Sequence, residues 1–233
     1  GVNWVAANMP RKEILVPMIG RKAGLRFIAL ASLALSAATQ RVPGPKGVLD
    51  PENALEARLS WLQPPDRVMD AIGLLPGMAI ADIGAGRGRY TVQFAVRVGE
   101  KGKVYAEDID AAALDYLKRR CQRWGLGNVE AIHGDPTDPK LPPGRLDLIF
   151  VISAYHHFSD PIALMRHARP ALKADGRLAI GEWIPTSEGR GEGTPPATVT
   201  AQMNAAGFVL ERIDQVIEAN GMNIYIFRPG TKK

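Results

Sequence analysis

Between residues 51 and 229 the chain alternates short apolar runs with longer stretches in which apolar residues recur every three or four positions. The runs Met78–Ile83, Lys103–Ala106, Asn128–His133, Leu146–Ile152 and Arg177–Gly181 predict strands. The stretches Tyr90–Val98, Ala111–Trp124 and Pro161–Lys173 between them predict helices. Leu146–Ile152 is apolar at nearly every position, as a parallel strand covered on both faces requires. Further on, Val199–Ala206 predicts a helix ended by Gly207, and Phe208–Ile213 and Met222–Phe227 predict two more strands. Upstream, Glu52–Trp61 and Pro65–Leu75 predict two helices parted by Gln63 and Pro64. Strands that alternate with helices define an α/β chain.

The first strand runs directly into ADIGAGRGRYT, residues 81–91. Gly84, Gly86 and Gly88 fall at alternate positions, so the backbone can turn with positive φ and approach a ligand without a Cβ in the way. A dinucleotide fingerprint needs its third glycine at relative position six, and here that position is Arg89. Asp82 would also repel a pyrophosphate, whereas it suits a cationic ligand. The segment resembles the first motif of the class I S-adenosylmethionine-dependent methyltransferases, acidic-x-Gly-x-Gly-x-Gly, through Asp82, Gly84, Gly86 and Gly88, with Ala85 inside the turn.

That resemblance covers about residues 50–229 and is nearest to methyltransferases of the ubiquinone-biosynthesis type. It implies a doubly wound, mostly parallel seven-stranded sheet, Rossmann-like, in a three-layer α/β/α domain over residues 51–229, with the last strand antiparallel. It implies S-adenosyl-L-methionine as cofactor. A carboxylate at the tip of the second strand can accept hydrogen bonds from both ribose hydroxyls. In the resembling family this acid precedes an apolar residue that packs on adenine, which points to Asp108 and Ile109, with Glu107 as the alternative. Asp110 fits the start of the following helix better. Asp135 sits where the family accepts the adenine amine, or is a turn residue before Pro136. One departure is the proline-rich Pro136–Gly144, which leaves little room for the helix usual between the third and fourth strands.

Ligands of open α/β sheets bind beyond the carboxyl ends of the strands, so chemistry is expected at Ser153, Ala154, Tyr155, His156 and His157. A phenol or alcohol acceptor must lose a proton as it attacks, and histidine suits that task. His156 and His157 are candidate bases and Tyr155 a candidate substrate contact; the alternative is that one histidine braces the loop and the other packs. Glu182 and Trp183 face the same rim in this topology. Arg58, Trp61 and Arg67 are candidate acceptor contacts, with packing of Trp61 and solvated arginines as the plainer account. No Asn-Pro-Pro-Tyr segment follows the fourth strand and no loop cysteine is present, which argues against base and glutamine methylation. Cys121 falls inside a helical pattern, and no metal-ligand spacing is present, the adjacent His156 and His157 being expected to point apart.

Residues 1–50 are of another kind. Arg21, Lys22 and Arg26 precede the apolar stretch Phe27–Ala38, the layout of a secretory signal over about residues 18–38, too short to span a bilayer. Export to the periplasm is the expectation if this leader is a signal, a cytoplasmic location otherwise, and any membrane contact would run through the leader. Of 29 Lys and Arg and 24 Asp and Glu, residues 1–50 hold 7 and 2, so residues 51–233 carry 22 of each. A nucleic-acid enzyme needs its positive field on the folded domain, so a small-molecule acceptor is favoured. The expectation is methyl transfer to a small molecule. An NAD(P)-binding oxidoreductase and an S-adenosylmethionine-binding protein without catalysis are the alternatives.

Overall fold

The computed structural model describes residues 54–185, 193–217 and 221–230, all within one unit spanning residues 41–233. The leader over residues 1–50 and the tip of the polar loop 185–196 lie outside the described residues. Two helices, α1 (Ala54–Leu62) and α2 (Pro65–Ala71), precede β1 (Ala79–Ile83), α3 (Thr91–Val98), β2 (Lys103–Asp108), α4 (Ala111–Trp124) and β3 (Val129–His133). There follow β4 (Leu146–Ile152), α5 (Pro161–Ala168), β5 (Leu172–Trp183), α6 (Pro196–Ala205), β6 (Phe208–Ile217) and β7 (Met222–Pro229). The seven strands form one sheet in the order β3-β2-β1-β4-β5-β7-β6. β7 runs antiparallel to both its neighbours and the other pairs are parallel. This is the doubly wound sheet that the alternating pattern predicts.

Helices cover both faces, and β4 shows why its sequence is apolar throughout. Ile149 and Val151 pack with Leu164 and Met165 of α5 and with Val199 and Met203 of α6. Leu148, Phe150 and Ile152 turn the other way, toward Met69 of α2 and Phe94 of α3. Local chemistry sets the helix ends: the Asp110 carboxylate accepts from the amides of Ala112 and Ala113 at the start of α4, and Gly125, at φ 66°, ends it. Asp160 caps α5 in the same way, with Pro161 in the first turn.

Three expectations are corrected. The helix expected over Pro161–Lys173 ends at Ala168, because Pro170 removes a donor and forces a tight turn. The turn expected at Ala174–Gly176 is part of β5: Leu146 pairs with Leu172 and Leu148 already with Arg177, so the intervening residues bulge from the ladder. Trp61, for which packing was the plainer account, is 78% exposed. Pro136–Gly144 forms no helix, as its prolines predict, and Leu141 packs against the core instead.

The helical pair α1–α2 is tied to the domain by a buried ion pair. Arg120 of α4 is 1% exposed and meets Glu56 of α1 through both terminal nitrogens, at 2.6 and 3.0 Å. The Arg120 guanidinium also donates to the carbonyl oxygen of Arg87 in the glycine turn, at 3.2 Å. Removing one partner leaves a buried charge uncompensated, which costs about 3 to 5 kcal/mol. Glu56→Ala is therefore expected to lower unfolding free energy in urea by about that amount; a change under about 1 kcal/mol would show that the pair contributes as little as a surface pair.

Candidate functional site

The three glycines of the turn carry different duties. Gly84, Gly86 and Gly88 all have positive φ, at 74°, 55° and 85°. A Cβ on Gly84 would lie 2.7 Å from the Ala154 Cβ, closing the gap between the turn and the end of β4. A Cβ on Gly88 would strike Leu117 of α4. At Gly86 there is open space, and its amide donates to the Asp108 carboxylate at 2.7 Å. The amides of Gly84 and Ala85 both donate to the Glu107 carbonyl, so the turn is fastened to the tip of β2.

Beside this turn lies a cavity of about 430 Å³, within the size range of small-molecule sites. Gly84, Glu107, Asp108, Ile109 and Asp135 line one side; Ser153, Ala154, His157 and Phe158 line the other. Ile109 is 57% exposed on this wall, an apolar surface for a flat ring. The second oxygen of Asp108 accepts from the Asp110 amide at 2.9 Å, so its carboxylate braces both loops at the cavity mouth. Asp135 is exposed and pairs with Lys140 at 3.0 Å. Glu107 is buried, and burial, with the neighbouring charge of Asp108, pushes its carboxyl from 4.5 up to about 8.

The two histidines part company. His157 is exposed on the cavity wall, whereas His156 is half-buried behind it and its Nδ1 lies 2.8 Å from Oε1 of fully buried Glu182 on β5. Burial raises the Glu182 carboxyl above the usual range, and the charge of His156 opposes that shift. The rings of His156 and His157 sit 4.1 Å apart, which corrects the expectation that they point apart. A one-turn 3-10 helix over Tyr155–His157 brings successive side chains closer than an extended strand end would.

Other expected site residues lie away from the cavity. Asp82 is buried, and its carboxylate accepts from the Thr91 hydroxyl at 2.6 Å, so it anchors the start of α3. Burial pushes that carboxyl up to about 6, against the pull of Thr91 and Arg89. Ala85 packs under the turn with Val92, Ala106 and Leu114. The Tyr155 ring is buried in the core and its hydroxyl donates to Gln202 at 2.7 Å, so it contributes no cavity surface. Trp183 packs against the core edge. Phe158 and Gln63 drew no notice in the sequence: Phe158 lines the cavity, and Gln63 reaches Ser153, which does. No local pattern marks a lone glutamine before a proline as part of a site 90 positions away. Among the described residues no group of three or more potential metal ligands occurs.

The sheet order, the glycine turn and the acids on the β2 tip are similar to those of class I S-adenosylmethionine-dependent methyltransferase domains. Residues 80–176 match the family described as methyltransferase domain. The chain is 31% identical over 140 residues to a nocamycin O-methyltransferase of Saccharothrix syringae, covering 60% of this chain and 50% of that protein. It is 28% identical over 116 residues to a ubiquinone/menaquinone biosynthesis C-methyltransferase of Shewanella sp. (strain ANA-3), covering 49% and 46%. The chain thus spans about half the length of the curated relatives it matches. The crystal structure of a SAM dependent methyltransferase from Aquifex aeolicus superposes with a TM-score of 0.63 at 28% identity, covering 74% of this chain and 96% of that one. The cofactor that family and fold imply is S-adenosylmethionine. The cavity fits it: a Cβ on Gly86 would meet open space, the acids Glu107, Asp108 and Asp135 line the wall and can accept from hydroxyls, and Ile109 offers an apolar face.

Two outcomes follow from this geometry. Asp108→Ala is expected to weaken S-adenosylhomocysteine binding about 10- to 100-fold by titration calorimetry, a loss of ~1.4 to 2.8 kcal/mol; an unchanged dissociation constant moves the hydroxyl-accepting role to Glu107. Glu107 holds a proton in the folded protein that the unfolded chain has released, so its contribution to stability is present below pH 4.5 and is lost as pH rises through about 8. Glu107→Gln should therefore melt progressively higher than the parent between about pH 5 and about pH 9, whereas a difference independent of pH would mean the carboxyl keeps its ordinary titration.

Proposed function

We propose that the protein transfers a methyl group from S-adenosylmethionine to a small molecule bearing an ionisable hydroxyl, with Glu107, Asp108, Ile109, Asp135 and the Gly84–Gly88 turn holding the cofactor. The observation that carries this reading is a single cavity in which the glycine turn and strand-tip acids face His157 across the β4 end. When bound, the cofactor supplies a methyl group on a positively charged sulfur. Asp108 and Glu107 orient it through its hydroxyls, and Phe158 and Leu164 keep water from the inner wall. His157 takes the proton from the acceptor hydroxyl, which leaves the oxygen its electron pair for attack. Glu182 and His156 stand behind His157 and hold the loop that carries it. The balanced charge of residues 51–233 agrees with a small acceptor rather than a nucleic acid.

The test uses methyl-labelled S-adenosylmethionine and a panel of small phenols. The parent is expected to label at least one of them, and His157→Ala to lower turnover about 100-fold while S-adenosylhomocysteine binds within about 2-fold of the parent. Full activity of His157→Ala at neutral pH removes its role as base. Binding of S-adenosylhomocysteine with no transfer to any acceptor would instead support a cofactor-binding protein without catalysis.

A further inference from the structure

Gln63 lies between α1 and α2, outside the residues that match the methyltransferase domain, and is fully buried. Its polar atoms reach three parts of the site. The side-chain Oε1 accepts from the Arg89 guanidinium, Nε2 donates to the Ser153 hydroxyl at 2.8 Å, and the main-chain carbonyl accepts from the Tyr90 hydroxyl at 3.1 Å. Arg89 and Tyr90 close the glycine turn at the entry to α3, with the guanidinium 4.3 Å above the Tyr90 ring. Ser153 lines the opposite lip of the cavity, at the end of β4.

Ser153 is itself unusual, a residue other than glycine at φ 53°. That conformation costs on the order of 1 to 2 kcal/mol and persists where surrounding contacts over-determine it. Two such contacts are present: the Ser153 amide donates to the Gly181 carbonyl at 3.1 Å, and its hydroxyl receives the Gln63 amide. A primary amide suits this place because it offers an acceptor and a donor on one planar group. An apolar side chain of equal length would strand both the Arg89 donor and the Ser153 hydroxyl at a cost of about 1 to 3 kcal/mol each.

We propose that Gln63 is a positioning residue of the cofactor site, a clamp that sets the spacing between the glycine turn and the end of β4, and that α1–α2 is thereby part of that site. The inference rests on the cofactor reading above. A ligand in the cavity touches both lips, so ligand and clamp act on the same degree of freedom. Tightening by one must strengthen the other.

The test measures S-adenosylhomocysteine binding by calorimetry, and amide hydrogen exchange in the ligand-free protein. Gln63→Met keeps length and burial but loses both side-chain hydrogen bonds; it is expected to bind about 10-fold more weakly, with faster exchange at Gly84–Gly88 and Ser153. Gln63→Glu accepts from Arg89 and from the Ser153 hydroxyl, and is expected to bind within about 3-fold of the parent. Parent-like binding by Gln63→Met, or equal losses in the Met and Glu variants, overturns the clamp and leaves the cofactor reading intact. If the parent itself does not bind S-adenosylhomocysteine, the cofactor reading fails; hydrogen exchange then decides the clamp alone, and unchanged exchange in Gln63→Met overturns it. Should Gln63→Met not fold, Ser153→Ala removes one of the same hydrogen bonds at the cavity lip and is read against the same outcomes.

Discussion

The hydrogen bond from the Gly86 amide to the Asp108 carboxylate, 2.7 Å long, joins the turn after β1 to the tip of β2, and the cavity is shaped around it. For that amide to point at β2, the chain must pass through positive φ at Gly84, Gly86 and Gly88 within five residues. Side chains would fail there for different reasons: Gly84 faces Ala154 across the cavity edge, while Gly88 is pressed against Leu117. The turn is therefore one device with two faces, one packed against α4 and the other open to a ligand. Burial of Ala85 and Leu117 in a common cluster keeps the packed face in place.

The same geometry crowds acids. Burial, with the neighbouring charge of Asp108 added, raises Asp82 to about 6 and Glu107 to about 8. Such a site resists gathering further negative charge and gains when a cation enters, because attraction in a partly dry pocket is strong. Charge thus discriminates between a sulfonium-bearing nucleoside and a dinucleotide with its pyrophosphate. The glycine spacing alone separates them less sharply.

Much of this was legible in the sequence, and the reason differs from element to element. β4 could be read because both of its faces are buried, and α4 because Asp110 and Gly125 mark its ends chemically. The glycine turn could be read because positive φ leaves few residue choices. The direction of the Asp82 carboxylate is not legible in the sequence, because a motif position does not set it; Thr91, nine residues on, draws it inward. Tyr155 shared that fate through Gln202 of α6. Gln63 was invisible because its partners, Arg89 and Ser153, are 26 and 90 positions away, and only the folded chain brings them to one amide.

The fully buried Glu182 poses the sharpest energetic question beyond the cavity. A lone carboxylate in that place would neutralise, and burial does raise its proton affinity. Burial disfavours ionisation of the Tyr155 and Tyr225 hydroxyls, and the negative field of Glu182 adds to it, so neither tyrosine will serve as a base. The hydrogen bond to His156 Nδ1 is what makes the buried acid tolerable, and it commits that histidine to the interior. Of the adjacent pair, only His157 keeps its ring on the cavity wall. His157 is therefore the histidine placed for the proposed proton transfer, while His156 is held by Glu182 behind it.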